Sequence, residues 1–321
     1  MCGIAGIFES LGSRTVNPNI LEQMNQVQEH RGPDDGGYFI REGIGLAHRR
    51  LSIIDISTGQ QPLFSQDKSV VIVFNGEIYN FREIRDELKQ KGYQFQTHSD
   101  TEVIVCAWQE WGEHCVEKLR GMFAFAIWDT KQQTLFIARD RLGIKPLFYA
   151  WLSNGQFIFG SELKVLLAHP DFKKELDIYA TEEYFALGYI PEPRTIYNNV
   201  YKLPPGNTLL IRPGMTSEKL TQYWDIPFKA LPEMDEREIS EQLIAQLKEA
   251  VDIRMVSEVP LGAFLSGGVD SSAVVAMMAG LQEDPVNTCA IGFDVKEFNE
   301  SQYAAQVAQQ YKTNHHLDVV D

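Results

Sequence analysis

MCGIAGIFES, residues 1–10, places a cysteine directly behind the initiator methionine, at the head of an apolar run that reads as a β-strand over residues 2–8. Removal of Met1 would leave Cys2 carrying both a thiol and a free α-amine. The amine titrates at about 7.7–8.0 and the thiol near about 8.5. Such a pair can exchange a proton near neutral pH and form thiolate without a separate histidine. A cysteine at position 2 of an arbitrary chain is more often a small buried hydrophobe, so the reading depends on the rest of the sequence. The same stretch has no basic leader and meets Glu9 after a short apolar run, which fits neither a secretory signal nor a membrane anchor. The expectation is a cytoplasmic protein with no membrane partner.

The chain has 321 residues, 44% of them hydrophobic, enough for two cores. A formal charge of −15 with no basic stripe argues against nucleic acid. Cys2, Cys106, Cys115 and Cys289 lie far apart with no C-x-x-C spacing, as expected of reduced thiols, and Cys106 and Cys115 read as core packing. The seven histidines show no metal-ligand spacing.

Further strands are expected at IGLAHRRLSII (44–54), SVVIVFNGEIY (69–79), FAFAIWD (123–129) and TLFIARD (134–140), several paired antiparallel. Helical spacing marks 19–30, 81–92 and 100–119. Asn80 with Glu83, and Ser99 with Glu102, have the spacing of capping boxes. Strands outnumber helices, which predicts a layered α/β arrangement with helices outside stacked sheets. The Pro- and Gly-rich stretch 201–236 reads as a final strand followed by a linker, giving expected limits of 2–210 for the first domain, 211–236 for the linker and 237–321 for the second.

In the second part, strand and helix alternate: helix 237–254, strand 259–265, helix 272–280, strand 286–293, helix 299–311 and strand 315–320, which predicts a parallel sheet. Between its first strand and the following helix lies SGGVDSS (266–272), where helix N–H groups favour anions and two glycines let the backbone close on a phosphate. No lysine follows, so it is not the phosphate loop of kinases and GTPases. It resembles the pyrophosphate loop of ATPases that release AMP. In that pattern Ser266, Gly267, Gly268, Ser271 and Ser272 hold pyrophosphate oxygens and Asp270 coordinates Mg²⁺. Leu265 and Ile291 would then lie beside the adenine or its ribose. The alternative is a Gly-rich turn with a Ser-capped helix.

With Cys-Gly-Ile at the start, RGPDD (31–35), HRRLSIID (48–55), FNGEIYN (74–80), SDTE (99–102), GMFAFAIWD (121–129), RDRLGIKPL (139–147) and SGGVDSS in one order, the chain resembles the glutamine-hydrolysing asparagine synthetases over essentially its whole length. YFALGYIPEPRTIY (184–197) and GAFLSGGVDSSAVVA (262–276) look closest to the branch associated with exosortase and extracellular-polysaccharide loci. The resemblance implies a four-layer αββα N-terminal-nucleophile hydrolase domain, a class II glutamine amidotransferase, followed by the start of a parallel-sheet pyrophosphate-loop ATPase domain. It implies that Cys2 attacks the glutamine amide and forms a thioester, with Asn75 and the Gly76 N–H meeting the oxyanion. Asn75-Gly76 alone would equally make a tight turn. Arg50 would clamp the substrate carboxylate, Leu51, Ser52, Ile53 and Ile54 would offer backbone contacts along an extended strand, and Asp100 with Glu77 would hold the ammonium. Asp100 also reads as part of a helix start.

The family's synthetase domain joins a carboxylate to AMP, and ammonia then displaces AMP, with water kept from both intermediates. The implied parties are glutamine, ATP with Mg²⁺, and aspartate or another carboxylate acceptor; a homodimer is compatible with the resemblance. A carboxylated sugar or cell-envelope precursor is the rival acceptor. A non-catalytic glutamine sensor or scaffold is the rival of another class, opposed by Cys2, Asn75 and the loop. Amidotransfer to phosphoribosyl pyrophosphate or fructose phosphate is opposed by SGGVDSS, since neither acceptor is activated with ATP. The family continues well past Asp321, so a fragment is expected, able to hydrolyse glutamine but needing more chain for full ligase activity.

Overall fold

The computed structural model describes residues 1–12, 15–53, 55, 58–229, 234–295, 297 and 299–320. The chain divides into two compact units, Met1–Pro227 and Phe228–Asp321. The first contains β1 (Gly3–Glu9), α1 (Pro18–Gln26), β2 (Asp35–Arg41), β3 (Ile44–Arg50), β4 (Leu63–Phe64), β5 (Val70–Ile78), α2 (Phe81–Gln90), α3 (Asp100–Trp111), α4 (Cys115–Lys118), β6 (Gly121–Asp129), β7 (Thr134–Arg139), β8 (Phe148–Trp151), β9 (Gln156–Gly160), α5 (Leu163–Leu167), α6 (Ile178–Leu187), β10 (Val200–Lys202), β11 (Asn207–Ile211) and β12 (Lys219–Gln222).

Two six-stranded sheets form, ordered β10-β8-β9-β1-β3-β2 and β12-β11-β7-β6-β5-β4, with antiparallel pairing throughout. Strand alternation explains the layers. Ile4 and Phe8 of β1 pack into a core shared with Val71, Val73, Ala124, Ala126 and Ile137 of the other sheet. Ala5 and Ile7, pointing the other way, pack with Leu21 and Met24 of α1 and Val165 and Leu166 of α5. Both faces of β1 are therefore covered, which is why its sequence is continuously apolar rather than alternating. Outside the second sheet, Trp108 of α3 stacks at 4.7 Å on Phe136 of β7 and donates Nε1–H to Asp129 at 2.9 Å. The result is the expected αββα layering.

Several local readings need correction. β3 ends at Arg50, so residues 51–53 are not strand: the Leu51 and Ser52 N–H groups go to Cys2 Sγ and the Asp34 carboxylate rather than to a neighbouring strand. Asn80 makes no cap: its carboxamide is spent on Lys118 O at 2.9 Å and Arg120 N–H at 2.8 Å. Ser99 does cap α3 through Thr101 N–H, but Glu102 turns to Gln96 and Thr97 N–H groups, each at 2.8 Å. Residues 100–119 are not one helix, since Gly112 at φ +58° stops α3. Residues 219–222, expected within a linker, pair with β11 as an edge strand.

The second unit contains α7 (Glu236–Asp252), β13 (Gly262–Phe264), α8 (Val269–Leu281), β14 (Asn287–Phe293), α9 (Ser301–Tyr311) and β15 (Asn314–Val320). Its three strands are parallel in the order β13-β14-β15, as the alternation predicted. Leu265, Val275, Ala290, Ala304 and Ala308 form one core cluster, and Val251, Met278 and Val286 another. All four cysteines are unpaired. No helix among the described residues is long and apolar enough to cross a membrane.

Candidate active site

Cys2 stands at the head of β1, which lies between β3 and β9. Its Sγ accepts Leu51 N–H at 3.4 Å, and the thiol faces Leu51 O at 3.6 Å. Arg31 Nε–H donates to Cys2 O at 2.9 Å, while the same guanidinium binds Glu162 at 3.1 Å. Gly3 leaves room for the buried Gln28 carboxamide, which a Cβ there would approach to 2.7 Å. Burial pushes the Cys2 thiol up, opposed by the Leu51 N–H, the terminal amine, Arg50 and Lys145. The terminal amine, carried here by Met1, is lowered chiefly by burial and also by Arg31 and Lys145, with Cys2 and Asp34 opposing. By contrast, burial pushes Cys106 up to about 12, and this inert thiol is core packing, as expected.

Asn75 and Gly76 form no turn. They lie within β5, paired with Ala124 and Phe123 of β6. Asn75 is 1% exposed, and its Nδ2 has no hydrogen-bond partner among the described residues. The main chain of the preceding residue is held at both its donor and its acceptor: Phe74 N–H donates to Gln61 Oε1 at 2.7 Å, and Phe74 O accepts from His48 Nε2 at 3.0 Å. Burial lowers His48 to about 4, so it is neutral near pH 7, with the proton on the nitrogen facing the carbonyl. A Cβ on Gly76 would lie 2.2 Å from Met122 O, so the strands approach too closely there for any side chain.

Arg50 ends β3 at 5% exposure, and its Nη2 donates to Asp55 O at 2.6 Å. The Gly59 main chain approaches it closely, since a Cβ there would stand 2.6 Å from that nitrogen and 2.8 Å from Asp55 O. Asp100 opens α3, also 5% exposed, and accepts Ile78 N–H at 2.9 Å. Burial raises it to about 6, outweighing the Ile78 and Thr101 N–H groups that favour its charge.

One cavity is lined by Cys2, Arg50, Leu51, Ile53, Asn75, Gly76, Glu77 and Asp100. A thiol, an unused amide donor, a guanidinium and two carboxylates thus converge from β1, β3, β5 and α3. Ser52 does not line it and gives its N–H to Asp34 at 2.8 Å. Ile54 lies outside the described residues. The cavity also includes Gln61 and Lys145, to which the sequence reading gave no role. Lys145 sits in the quoted RDRLGIKPL motif, so the motif marked it without showing where it points.

In the second unit, Gly268 is the N-cap of α8, with Asp270 in the first turn. Ser266 Oγ lies 3.0 Å from Ser271 Oγ and accepts Gly268 N–H at 3.3 Å. Gly267 has φ +84°, and a Cβ would stand 2.5 Å from Tyr303 of α9, so only glycine fits. Ser272 Oγ is buried without a partner among the described residues, at a helix end that favours anions. Ile291 of β14 is exposed, but Leu265 is 1% exposed within the core cluster and has only its main chain to present to a ligand. No group of three or more His, Cys, Asp or Glu side chains poised for a metal occurs among the described residues.

A family model described as "Glutamine amidotransferase domain" matches residues 1–224, and one described as "Asparagine synthase" matches residues 242–321. The glutamine-hydrolyzing asparagine synthetase 1 of Bacillus subtilis is 40% identical over 311 residues, covering 96% of this chain and 48% of the relative. Asparagine synthetase 3 of the same organism is 35% identical over 338 residues, covering 100% of this chain and 54% of the relative. The chain thus spans about half the length of these curated relatives. A solved structure described as the allosteric regulatory enzyme of purine biosynthesis aligns at TM-score 0.51 and 14% identity, covering 99% of this chain and 80% of that one. That likeness speaks to the fold alone.

Proposed function

The chain belongs to the glutamine amidotransferase domain family, with the layered fold of N-terminal-nucleophile hydrolases, and on that premise we propose that it supplies the ammonia-producing site and the start of the ATP-using domain of an amide-forming ligase. The observation that carries the reading is the unpartnered Nδ2 of Asn75, buried in the cavity that Cys2 lines. Leaving such a donor unmet costs about 1–3 kcal/mol. A ligand oxygen bearing negative charge would satisfy it.

After Met1 is removed, the Cys2 α-amine takes the thiol proton and the sulfur attacks the side-chain amide carbon of glutamine. The oxyanion is met by Asn75 Nδ2–H and Gly76 N–H. Collapse of the tetrahedral adduct breaks the C–N bond. The α-ammonium returns its proton to the leaving nitrogen, releasing ammonia and a γ-glutamyl thioester that water cleaves to glutamate. Arg50 binds the substrate carboxylate, and Asp100 with Glu77 the ammonium, an interaction that draws Asp100 back toward its charged form.

In the second domain, Ser266, Gly267, Gly268, Ser271 and Ser272 cradle the pyrophosphate of ATP. The orphaned Ser272 hydroxyl and the space that only Gly267 leaves open suit phosphate oxygens. Mg²⁺ fits a single exposed carboxylate, Asp270, supplemented by phosphate oxygens, and when bound would neutralise charge on the leaving pyrophosphate. The acceptor is aspartate, supported by the names of the relatives, and the product is asparagine. Reduced thiols and ATP chemistry suit the cytoplasm.

The test is release of glutamate and ammonia from glutamine by the processed chain. Cys2→Ala abolishes it. Glutamine turnover that survives Cys2→Ala, or no turnover by the Met1-free protein, refutes the reading.

A further inference from the structure

Lys145 lines the cavity with Cys2 and Asn75, yet only 7% of it is exposed and its ammonium has no hydrogen-bond or ion-pair partner among the described residues. An ammonium held in a largely buried side chain with no protein partner is unfavourable unless the charges around it compensate, so its surroundings are informative. The loop that carries it is rigidly tied. Asp140 accepts N–H groups from Leu142, Ile144 and Lys145 at 3.1, 2.9 and 2.9 Å, and from Phe123, the residue paired with Gly76, at 3.1 Å. Arg139 Nε–H donates to Lys145 O at 2.8 Å. The lysine is thus anchored to the strand pair that carries the proposed oxyanion site.

The charges around the nucleophile come from every side. Arg31 and Arg50 are cations, but Arg31 is bound to Glu162 and Arg50 to Asp55 O. Asp34, Glu77, Asp100 and Asp140 are the acids coupled to this cluster or lining its cavity. Lys145 lowers both the terminal amine and the Cys2 thiol, and the Cys2 charge in turn pulls Lys145 up against the burial that pushes it down.

Resting on the glutaminase reading above, we propose that Lys145 is a positioning residue acting through Cys2: its ammonium favours the state in which the thiol and α-amine of processed Cys2 together hold one proton fewer. That is the state that attacks glutamine. A nearby cation promotes loss of this proton whichever group gives it up, so the pair titrates as a unit.

The experiment compares wild type, Lys145→Met and Lys145→Arg, each lacking Met1, by kcat/KM for glutamine and by the rate of Cys2 alkylation with iodoacetamide across pH 5.5–9.5. The acid limb of both profiles moves up by about one pH unit in the Met variant, the low end for loss of a neighbouring charge, and returns in the Arg variant. Profiles of Lys145→Met that superpose on wild type in both readouts overturn the proposal. Lys145→Gln stands in, with the same criteria, where the Met variant does not fold. A wild-type protein that neither hydrolyses glutamine nor alkylates selectively at Cys2 refutes the glutaminase reading instead. An active wild type with an unmoved variant profile refutes only the role of Lys145.

Discussion

Replacing Asn75 by alanine should separate two quantities that ordinary core substitutions move together. The side chain is almost wholly buried, so truncation forfeits packing, but it also removes an amide donor that has no protein partner among the described residues. The second effect offsets the first by about 1–3 kcal/mol. Net stability then changes by no more than about 1 kcal/mol, or about 2–4 °C in melting temperature for a domain of this size. In the reaction, the same donor meets the oxyanion, and its loss costs about 2.7–4 kcal/mol of transition-state stabilisation. We therefore expect kcat for glutamine hydrolysis to fall by about 10²–10³ with KM nearly unchanged. Steady-state glutamate release and a melting curve on the same preparation measure both. A loss of less than about tenfold in kcat, or a rise in KM at constant kcat, would show that Asn75 does not act on the oxyanion.

Asp100 titrates at about 6 because burial disfavours its charge, whereas an unfolded aspartate titrates near 3.8. A raised folded value means its contribution to stability is full below about pH 4 and is lost as pH rises through about 6. Asp100→Asn should therefore raise the melting temperature at pH 7.5 while increasing KM for glutamine at least tenfold; a lower melting temperature at that pH contradicts the assignment. Wild-type kcat/KM should also decline below about pH 6, because a protonated Asp100 cannot hold the substrate ammonium. Gly76→Ala drives a Cβ to 2.2 Å from Met122 O, so its urea midpoint should drop by an amount corresponding to about 1–3 kcal/mol. Gly267→Ala should abolish the thermal shift produced by ATP with Mg²⁺, since its φ of +84° and the close approach of Tyr303 exclude a side chain; a full shift in that variant removes the loop from nucleotide binding.

The parts of this structure that were legible in the sequence follow from backbone periodicity and chain position. Residues 2–8 read as strand because both faces of β1 are covered, and the strand–helix alternation after residue 236 led directly to a parallel sheet. Side-chain alternatives were less legible. Asn75-Gly76 is a favoured turn dipeptide, yet here the glycine serves close strand approach and the asparagine points into a cavity. Asn80 and Ser99 have the same capping spacing. Only Ser99 caps, because the 118–120 segment competes for the Asn80 carboxamide and no local pattern reveals that competitor. Leu265 stands beside the loop in sequence but turns into the core, as strand alternation requires of one neighbour in two. Lys145, His48 and Gln61 went unassigned for a related reason: the burial of Lys145 and His48, and the contacts that His48 and Gln61 make with Phe74, are not visible in residue order.

The central claim is that Cys2, freed of Met1, is the nucleophile toward glutamine. Intact-mass and peptide mass spectrometry after treatment with a glutamine-mimicking diazoketone tests it directly. The account predicts a chain lacking Met1, with one adduct on Cys2 whose formation glutamine slows. An active protein that retains Met1, or an adduct that forms on any other residue and leaves Cys2 free, would contradict it.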